Sequence, residues 1–234
     1  MCLKINVFAV LVLFVLTMPL HAQEACTTFF KFKEGTSLEY TSYNKKGKVE
    51  AKTNSKVASV SEVDGGYKAT MESTMYDKKG KELSSGTYEV YCEGNVLKMD
   101  VSGMLNPAMQ EAFTGMEVEI TGNALEIPNQ LEVGMSLPDA STTIKAGTNG
   151  LSLLSMTVNI VDREVERMET ITTPVDTYEC YKINQTSEVK MMVSRQFNSV
   201  DYFAEGIGVV RSEMYDKRGN LESYMVLTAY SAPD

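Results

Sequence analysis

Histidine is nearly absent from this sequence, and tryptophan does not occur at all. The single histidine, His21, falls in a stretch that we interpret below as a signal peptide, so we expect the mature chain to contain none. Ser-His-Asp and Cys-His catalysis, an imidazole base and the usual zinc sites are then excluded. We therefore predict a protein that is not an enzyme, with no catalytic residue, no metal ion and no cofactor.

Long apolar runs are also lacking, apart from one at the N-terminus. Lys4 precedes an apolar run from Ile5 to Leu16, and Leu20-His21-Ala22 forms a cleavage region, as in a secretory signal. The run is too short to span a bilayer, which takes about 20 apolar residues. We predict a signal peptide over 1–22 and a single β domain over 23–234, periplasmic or secreted, soluble and without a transmembrane segment.

Cysteine is sparse, and its spacing matches neither a CxxC redox motif nor a metal site. Three cysteines follow the predicted signal peptide: Cys26, Cys92 and Cys180. Export permits a disulfide. We expect one bridge and one buried thiol, and all three pairings stay open.

Basic residues are the minority among charged side chains. The chain has 22 basic and 31 acidic residues, a net charge of −9. Nucleic-acid binding relies on a basic footprint, so we predict no nucleic-acid partner.

One short motif occurs three times and indicates the architecture. Residues 43–48, 76–81 and 215–220 each read Tyr-Asp/Asn-Lys-Lys/Arg-Gly-Lys/Asn. An Asp or Asn at the first turn position, with Gly three residues later, is typical of a tight β-hairpin turn. Together with strands rich in Tyr, Val and Thr, the motif predicts a mainly β fold: an antiparallel, strongly curved sheet or incomplete barrel built from hairpins.

A short helix is predicted near 106–114. Asn106 suits the N-cap, Pro107 the first helical position and Gly115 the end of the helix. Methionine is abundant and suits a pocket for varied apolar ligands, although it also fills irregular cores. The ligand-binding candidates are Met99, Met109, Phe113 and Met156.

Acidic residues alternate with arginines in the segment from Asp162 to Arg167. On a regular strand Asp162, Glu164 and Glu166 share one face, a pattern that a calcium site or the acid pair of a glycosidase also shows. Because Arg163 and Arg167 lie between them, we interpret the segment as a solvated face or a strand that extends beyond the core. The acidic residues also continue the face of Val158 and Ile160, so a turn near Asp162 is an equal alternative.

Three segments resemble a family of small exported proteins of Gram-negative bacteria, the TapB-like proteins of unknown function. They are Phe32–Gly35, Tyr178–Ile183 and Ala204–Glu213. The resemblance implies a curved antiparallel sheet, similar at fold level to the open barrels of periplasmic lipoprotein carriers. It transfers no catalytic residues.

Our leading hypothesis is an exported protein that binds a hydrophobic or lipid-like ligand within a curved sheet. A structural or interaction module with an envelope protein as partner is the alternative, and its contact is an exposed strand edge. A carboxylate-dependent glycan hydrolase is the third hypothesis, and it requires two acidic residues that converge in a cleft.

Overall fold

Thirteen strands form one antiparallel sheet in the computed structural model, which describes residues 28–99, 115–149 and 151–233. The strands are β1 Ser37–Asn44, β2 Val49–Val63, β3 Gly66–Asp77, β4 Glu82–Glu93, β5 Val96–Met99, β6 Glu117–Gly122, β7 Leu125–Pro128, β8 Ala140–Thr148, β9 Leu151–Thr172, β10 Thr177–Lys190, β11 Ser194–Ala204, β12 Gly208–Tyr215 and β13 Leu221–Ser231. The predicted mainly β, antiparallel and curved fold is confirmed. The helix predicted near 106–114 lies outside the described residues.

The two edges of the sheet are adjacent in sequence. The strand order is β6-β8-β9-β10-β11-β12-β13-β1-β2-β3-β4-β5-β7, so β6 and β7 lie at opposite edges. Only Asn123 and Ala124 separate them along the chain. The sheet therefore curves until its edges meet, without a backbone ladder to close it.

The three repeated turns adopt the predicted hairpin conformation. The Oδ1 atom of the first turn residue accepts hydrogen bonds from the backbone amides two and four residues later, at Asn44, Asp77 and Asp216. Gly47, Gly80 and Gly219 have φ of 70°, 82° and 79°. These values lie in the left-handed region that glycine enters without a steric penalty.

One face of the sheet, the inner face, carries most of the core. Its fully buried side chains are contributed by strands on both halves of the sheet: Val57, Met71, Val90, Ile127, Val165, Ile183 and Leu227. The pairing register places these residues on the same side, because directly opposed residues share a face. The phenyl ring of Phe29 completes this core, edge-on to Tyr181 and Phe203.

No helix in the described residues is long and apolar enough to cross a membrane.

Candidate functional site

The inner face becomes open and apolar where β6, β8 and β9 meet. Two rows of directly opposed side chains cross these strands: Ile120, Ile144 and Met156, and Val118, Ala146 and Leu154. Ile144 and Met156 are fully buried, whereas Val118 and Ile120 on the edge strand are each 45% exposed. With Leu151, which is 69% exposed on the same face, these residues form a surface that we call the apolar shelf.

The apolar shelf adjoins a small buried cluster between the two edges of the sheet. Leu125 of β7 packs there against Ala140 of β8 and Ile160 of β9, with Val158 alongside. The half-buried Met99 of β5 packs against the same cluster. The cluster lies on the inner face. Its member on β9, Ile160, follows Met156 and Val158 on the same face of the strand.

Two of the four predicted ligand-binding residues thus lie near one another. Met99 and Val158 both pack against the cluster of Leu125, Ala140 and Ile160, and Met156 lies two residues before Val158 on β9. Met109 and Phe113 lie outside the described residues. Elsewhere the inner face is filled by the main core, so the apolar shelf is where its apolar surface meets solvent.

A backbone irregularity in β9 turns an arginine into the interior. Asp162 has φ of 54°, and the register with β10 shifts between Asn184 and Thr186. Such a β-bulge inserts one residue and re-aims the side chains that follow. Asp162 is consequently exposed and Arg163 is 3% exposed on the inner face.

Arg163 begins a chain of buried polar contacts across four strands. Its Nη1 donates to the backbone oxygens of Glu126 at 3.0 Å and Pro138 at 2.5 Å, and its Nε donates to Gln185 Oε1 at 3.3 Å. Gln185 Nε2 in turn donates to Asp201 Oδ2 at 2.7 Å. Arg163 therefore bonds the edge strand β7 to the middle of the sheet.

Both charged ends of this chain of contacts have shifted pKa values. Burial lowers the pKa of the Arg163 guanidinium to about 10, against the opposing effect of the Asp201 charge. Burial also raises the pKa of the Asp201 carboxyl, although Ser212, Arg163 and Gln185 favour its ionised form. The prediction of a solvated face is wrong for Arg163. The bulge reverses which residues of β9 face inward, so the Arg163 side chain lies on the inner face.

The remaining charges of this segment do lie on the outer face. Glu166 Oε2 accepts hydrogen bonds from Lys182 and Asn184, both at 2.7 Å, and Glu166 also pairs with Arg167. The hydrogen bond from Lys182, followed by that from Asn184, lowers the pKa of the Glu166 carboxyl despite its slight burial. Among the described residues, no group of three or more Asp, Glu, Cys and His side chains has the geometry to hold a metal ion.

A second carboxylate is enclosed on the outer face. Glu213 accepts hydrogen bonds from Tyr215 Oη at 2.6 Å, Arg211 Nε at 2.7 Å and Tyr202 Oη at 3.4 Å. The Arg211 guanidinium also lies 4.8 Å from the ring centre of Tyr224. Because three donors surround Glu213, it serves as the anchor of this cluster, which gives the carboxylate a structural role.

The cysteines separate into one bonded and one free thiol within the described part of the chain. Cys92 is disulfide-bonded, and its partner lies outside the described residues. Cys180 is free and fully buried. Burial raises the pKa of its thiol to about 12. Cys26 lies outside the described residues.

Sequence reasoning missed Arg163 and the edge-strand residues Val118 and Ile120. A signal for the bulge is present in the sequence, because the buried positions change from even numbers at Met156 and Ile160 to an odd number at Val165. No comparable signal marks β6, whose six residues are all exposed.

Comparisons with known proteins agree on a family and a fold. A family model described as DUF3108-like matches residues 33–227. A protein from Bacteroides fragilis, inferred to be exported and described as having a YmcC-like fold, superposes with a TM-score of 0.73 at 23% identity, covering 88% of this chain and 100% of that chain. A protein from Parabacteroides distasonis, inferred to be a lipoprotein, gives a TM-score of 0.73 at 25% identity, covering 88% and 99%. No curated protein matches this chain.

Proposed function

This chain belongs to the DUF3108-like family, and from that premise we propose that it is an exported, non-enzymatic protein that binds a hydrophobic or lipid-like ligand on the inner face of its sheet. The predicted signal peptide over 1–22 and the exported or lipoprotein character inferred for the similar structures support the location. The fold-level similarity to the open barrels of lipoprotein carriers, which the family resemblance implies, agrees with this role.

The apolar shelf is the observation that carries the proposal. Val118 and Ile120 are 45% exposed, although they continue cross-strand rows whose next members, Ala146 and Ile144, are fully buried. Half-exposed β-branched side chains at the margin of a buried apolar surface lose unfavourable hydration when an apolar group covers them, at about 25 cal/mol per Å². Met156 lies two strands away, in the same cross-strand row as Ile120 and Ile144, and its flexible side chain can adjust to ligands of different shapes.

The position of the apolar shelf also supports ligand binding by this surface, because the core already fills the rest of the inner face. The main core fills the inner face between β9 and β5, from Val165 to Val90. The ligand therefore occupies the margin of the curved sheet at the β6 edge, against the exposed side chains of Val118, Ile120 and Leu151. Met99, which packs against the neighbouring cluster of Leu125, Ala140 and Ile160, is our candidate for a ligand contact from the β5 side.

Two measurements test the proposal. Native mass spectrometry of the protein after mild purification from its host should show an apolar adduct. A solvatochromic apolar probe should bind the delipidated protein, and the Val118→Ser/Ile120→Ser variant should weaken that binding about tenfold. Leu83→Ser is the matched control, because Leu83 is 46% exposed on a different part of the sheet.

The result that would overturn the proposal is equal probe affinity for the wild type, the shelf variant and the Leu83 variant, together with a mass that contains no adduct. Both shelf substitutions lie on an exposed strand, so they should leave the unfolding midpoint nearly unchanged. A circular dichroism melt checks that condition.

The second candidate function is an interaction module of the envelope, and the edge strand β6 favours it. Within the described residues β6 is paired on one side only, with β8. The edge strand of a sheet can accept a strand from a partner protein. Ile120→Pro would block such pairing, and crosslinking in the envelope should then lose a specific protein partner.

A further inference from the structure

The sheet places all three repeated turns at the same end of the molecule. Asn44 of β1 pairs with Ser223 of β13, and Ala51 of β2 pairs with Asp77 of β3. The turns 44–48, 77–81 and 216–220 are therefore neighbours, although the third is far from the others in sequence. We call the end that carries them the basic end.

The basic end concentrates positive charge in an acidic protein. The three turns contain eight basic side chains and two acidic ones, Asp77 and Asp216. These two carboxylates already accept backbone amides within their own turns. Of the eight basic side chains, Lys45 is bound to a strand glutamate, Glu222, at 3.2 Å.

The opposite end of the sheet has the reverse charge. The connections there are 64–65, 94–95, 129–139, 173–176 and 205–207. They contain five acidic residues and no basic ones, and the segment 28–36, which bonds to Gly206 and Val57 at the same end, adds Lys31, Lys33 and Glu34. The molecule is therefore an electric dipole along its strands, and a negatively charged surface will orient it with the basic end inward.

Two hairpins that end in exposed apolar side chains project from the same basic end. The β10–β11 hairpin continues from Asn198, where pairing with β12 stops, to the tip formed by Met191, Met192 and Val193. These tip residues are 44%, 98% and 71% exposed, and they lie between Lys190 and Arg195. These apolar side chains are therefore not part of the packed core.

The β8–β9 hairpin projects beside it. Lys190 at the end of β10 pairs with Thr157, so β9 extends six residues further, to Leu151. Leu151 and Leu153 there are 69% and 59% exposed. The apolar shelf opens at the same end, since Glu117 begins β6 opposite Gly147.

We propose that the basic end docks on a membrane surface that carries anionic lipid headgroups. Lysines and arginines of the three turns contact lipid phosphates, which attract each basic residue within a Debye length. The tip Met191–Val193 enters the acyl boundary, with Lys190 and Arg195 at the level of the phosphates, as apolar segments with flanking cations do. The net charge of −9 does not prevent this docking, because the attraction acts within about a Debye length of the surface, where the three turns contribute eight basic and two acidic side chains.

Docking in this orientation presents the apolar shelf to the membrane. Membrane docking does not depend on the proposed ligand binding, because the three turns and the tip Met191–Val193 do not include Val118 or Ile120. The two proposals can therefore fail separately. The apolar-probe assay contains no vesicles, and the vesicle assay contains no free ligand.

Vesicle flotation tests the proposal with the mature chain. The wild type should float with phosphatidylcholine vesicles that contain phosphatidylglycerol, should not float with phosphatidylcholine alone, and should be released at raised ionic strength. Lys46→Gln/Lys79→Gln should lower the affinity roughly 25-fold, at about fivefold per lysine. Lys31→Gln/Lys56→Gln, which neutralises exposed lysines outside the turns, should bind as the wild type does.

The tip is tested in the same assay. Met192→Ser should lower vesicle affinity about tenfold, whereas Val133→Ser, at an exposed site in the acidic connection 129–139, should have no effect. A wild type that stays unbound at low ionic strength would overturn the proposal, and so would variants of the turns and of the tip that bind like their controls. Binding of soluble polyphosphate without flotation would also overturn it.

Discussion

The guanidinium Nη1 of Arg163 lies 3.0 Å from the backbone oxygen of Glu126, so one side chain of β9 bonds the edge strand β7. No strand ladder joins the two edges of the sheet. This contact adds to backbone hydrogen bonds that link the connection after β7 to β9, from Gly134 to Val165 and from Leu137 to Arg163. The same nitrogen also donates to Pro138, in the connection that leads into β8. Arg163 thus holds together both sides of the place where the edges meet.

Arg163→Met should destabilise the fold strongly. The variant leaves the acceptors on Glu126, Pro138 and Gln185 without their donors and removes the cation that faces Asp201. Removing one partner from a buried charged network costs about 3–5 kcal/mol. Urea unfolding, followed by far-ultraviolet circular dichroism because the chain lacks tryptophan, measures the free energy of unfolding.

Arg167→Met is the matched control for this measurement. Arg167 pairs with Glu166 and Glu169 on the outer face, where its side chain is 47% exposed. An exposed ion pair contributes about 0–1 kcal/mol. Equal destabilisation by both variants would show that Arg163 does not hold the edges together.

The turn glycines provide a second prediction. Gly80→Ala should lower the free energy of unfolding by about 1–2 kcal/mol, because Gly80 has φ of 82° and alanine is strained there. Space is not the reason, since a Cβ at Gly80 would have no heavy atom within 4 Å. Gly86→Ala is the control: Gly86 has equal space and no left-handed φ, so its substitution should be neutral or stabilising.

A feature could be predicted from the sequence when the residues that form it are close together along the chain, and it could not when they are far apart. The turn at Asp77 could be predicted because its acceptor, donors and glycine lie within five residues. The bulge at Asp162 was missed because it depends on the partner strand β10, and the contact of Arg163 with Glu126 spans 37 residues.

The shared end of the three turns also required the topology. The sequence predicted each hairpin separately, but the third turn joins the first only through the pairing of β1 with β13. A pairing of strands almost 190 residues apart is fixed by the packing of the whole sheet, which no local pattern encodes. The charge distribution of the basic end is therefore visible only in the structure.

The third prediction concerns the disulfide. Cys180 is free and Cys92 is bonded, and Cys2 lies in the predicted signal peptide, so we predict the pair Cys26–Cys92. The amide of Thr28 bonds to Asn129 Oδ1, and the amide of Asn129 bonds to the oxygen of Asn95, which places Thr28 close to the end of β4. Peptide mapping without reduction should recover this cross-link.

The reactivity of the Cys180 thiol is a second measurement that complements the peptide mapping. Because it is buried and its pKa is raised to about 12, it should react with a thiol reagent only after unfolding. Cys92→Ser should lower the free energy of unfolding by about 2–5 kcal/mol, whereas Cys180→Ser should leave the cross-link in place. A cross-link that contains Cys180 would contradict the prediction.

The fourth prediction is a pH dependence that arises from Asp201. Burial raises the pKa of its carboxyl in the folded state above the unfolded value of about 3.9. The protonated carboxyl therefore favours folding. The stabilising contribution is complete below the unfolded pKa and is lost as pH rises through the folded pKa. The free energy of unfolding of the wild type, minus that of Asp201→Asn, should accordingly fall as pH rises from about 4.

Asp216→Asn gives the opposite slope and serves as the control. Hydrogen bonds from the Asn220 side chain and from turn amides lower the pKa of Asp216, so its contribution is present above the unfolded pKa and is lost as pH falls. Urea titrations of the three proteins over this pH range measure both slopes. If the Asp201 difference rises with pH, as the Asp216 difference should, then the Arg163 charge outweighs burial at Asp201, and Asp201 is ionised in the folded protein throughout this range.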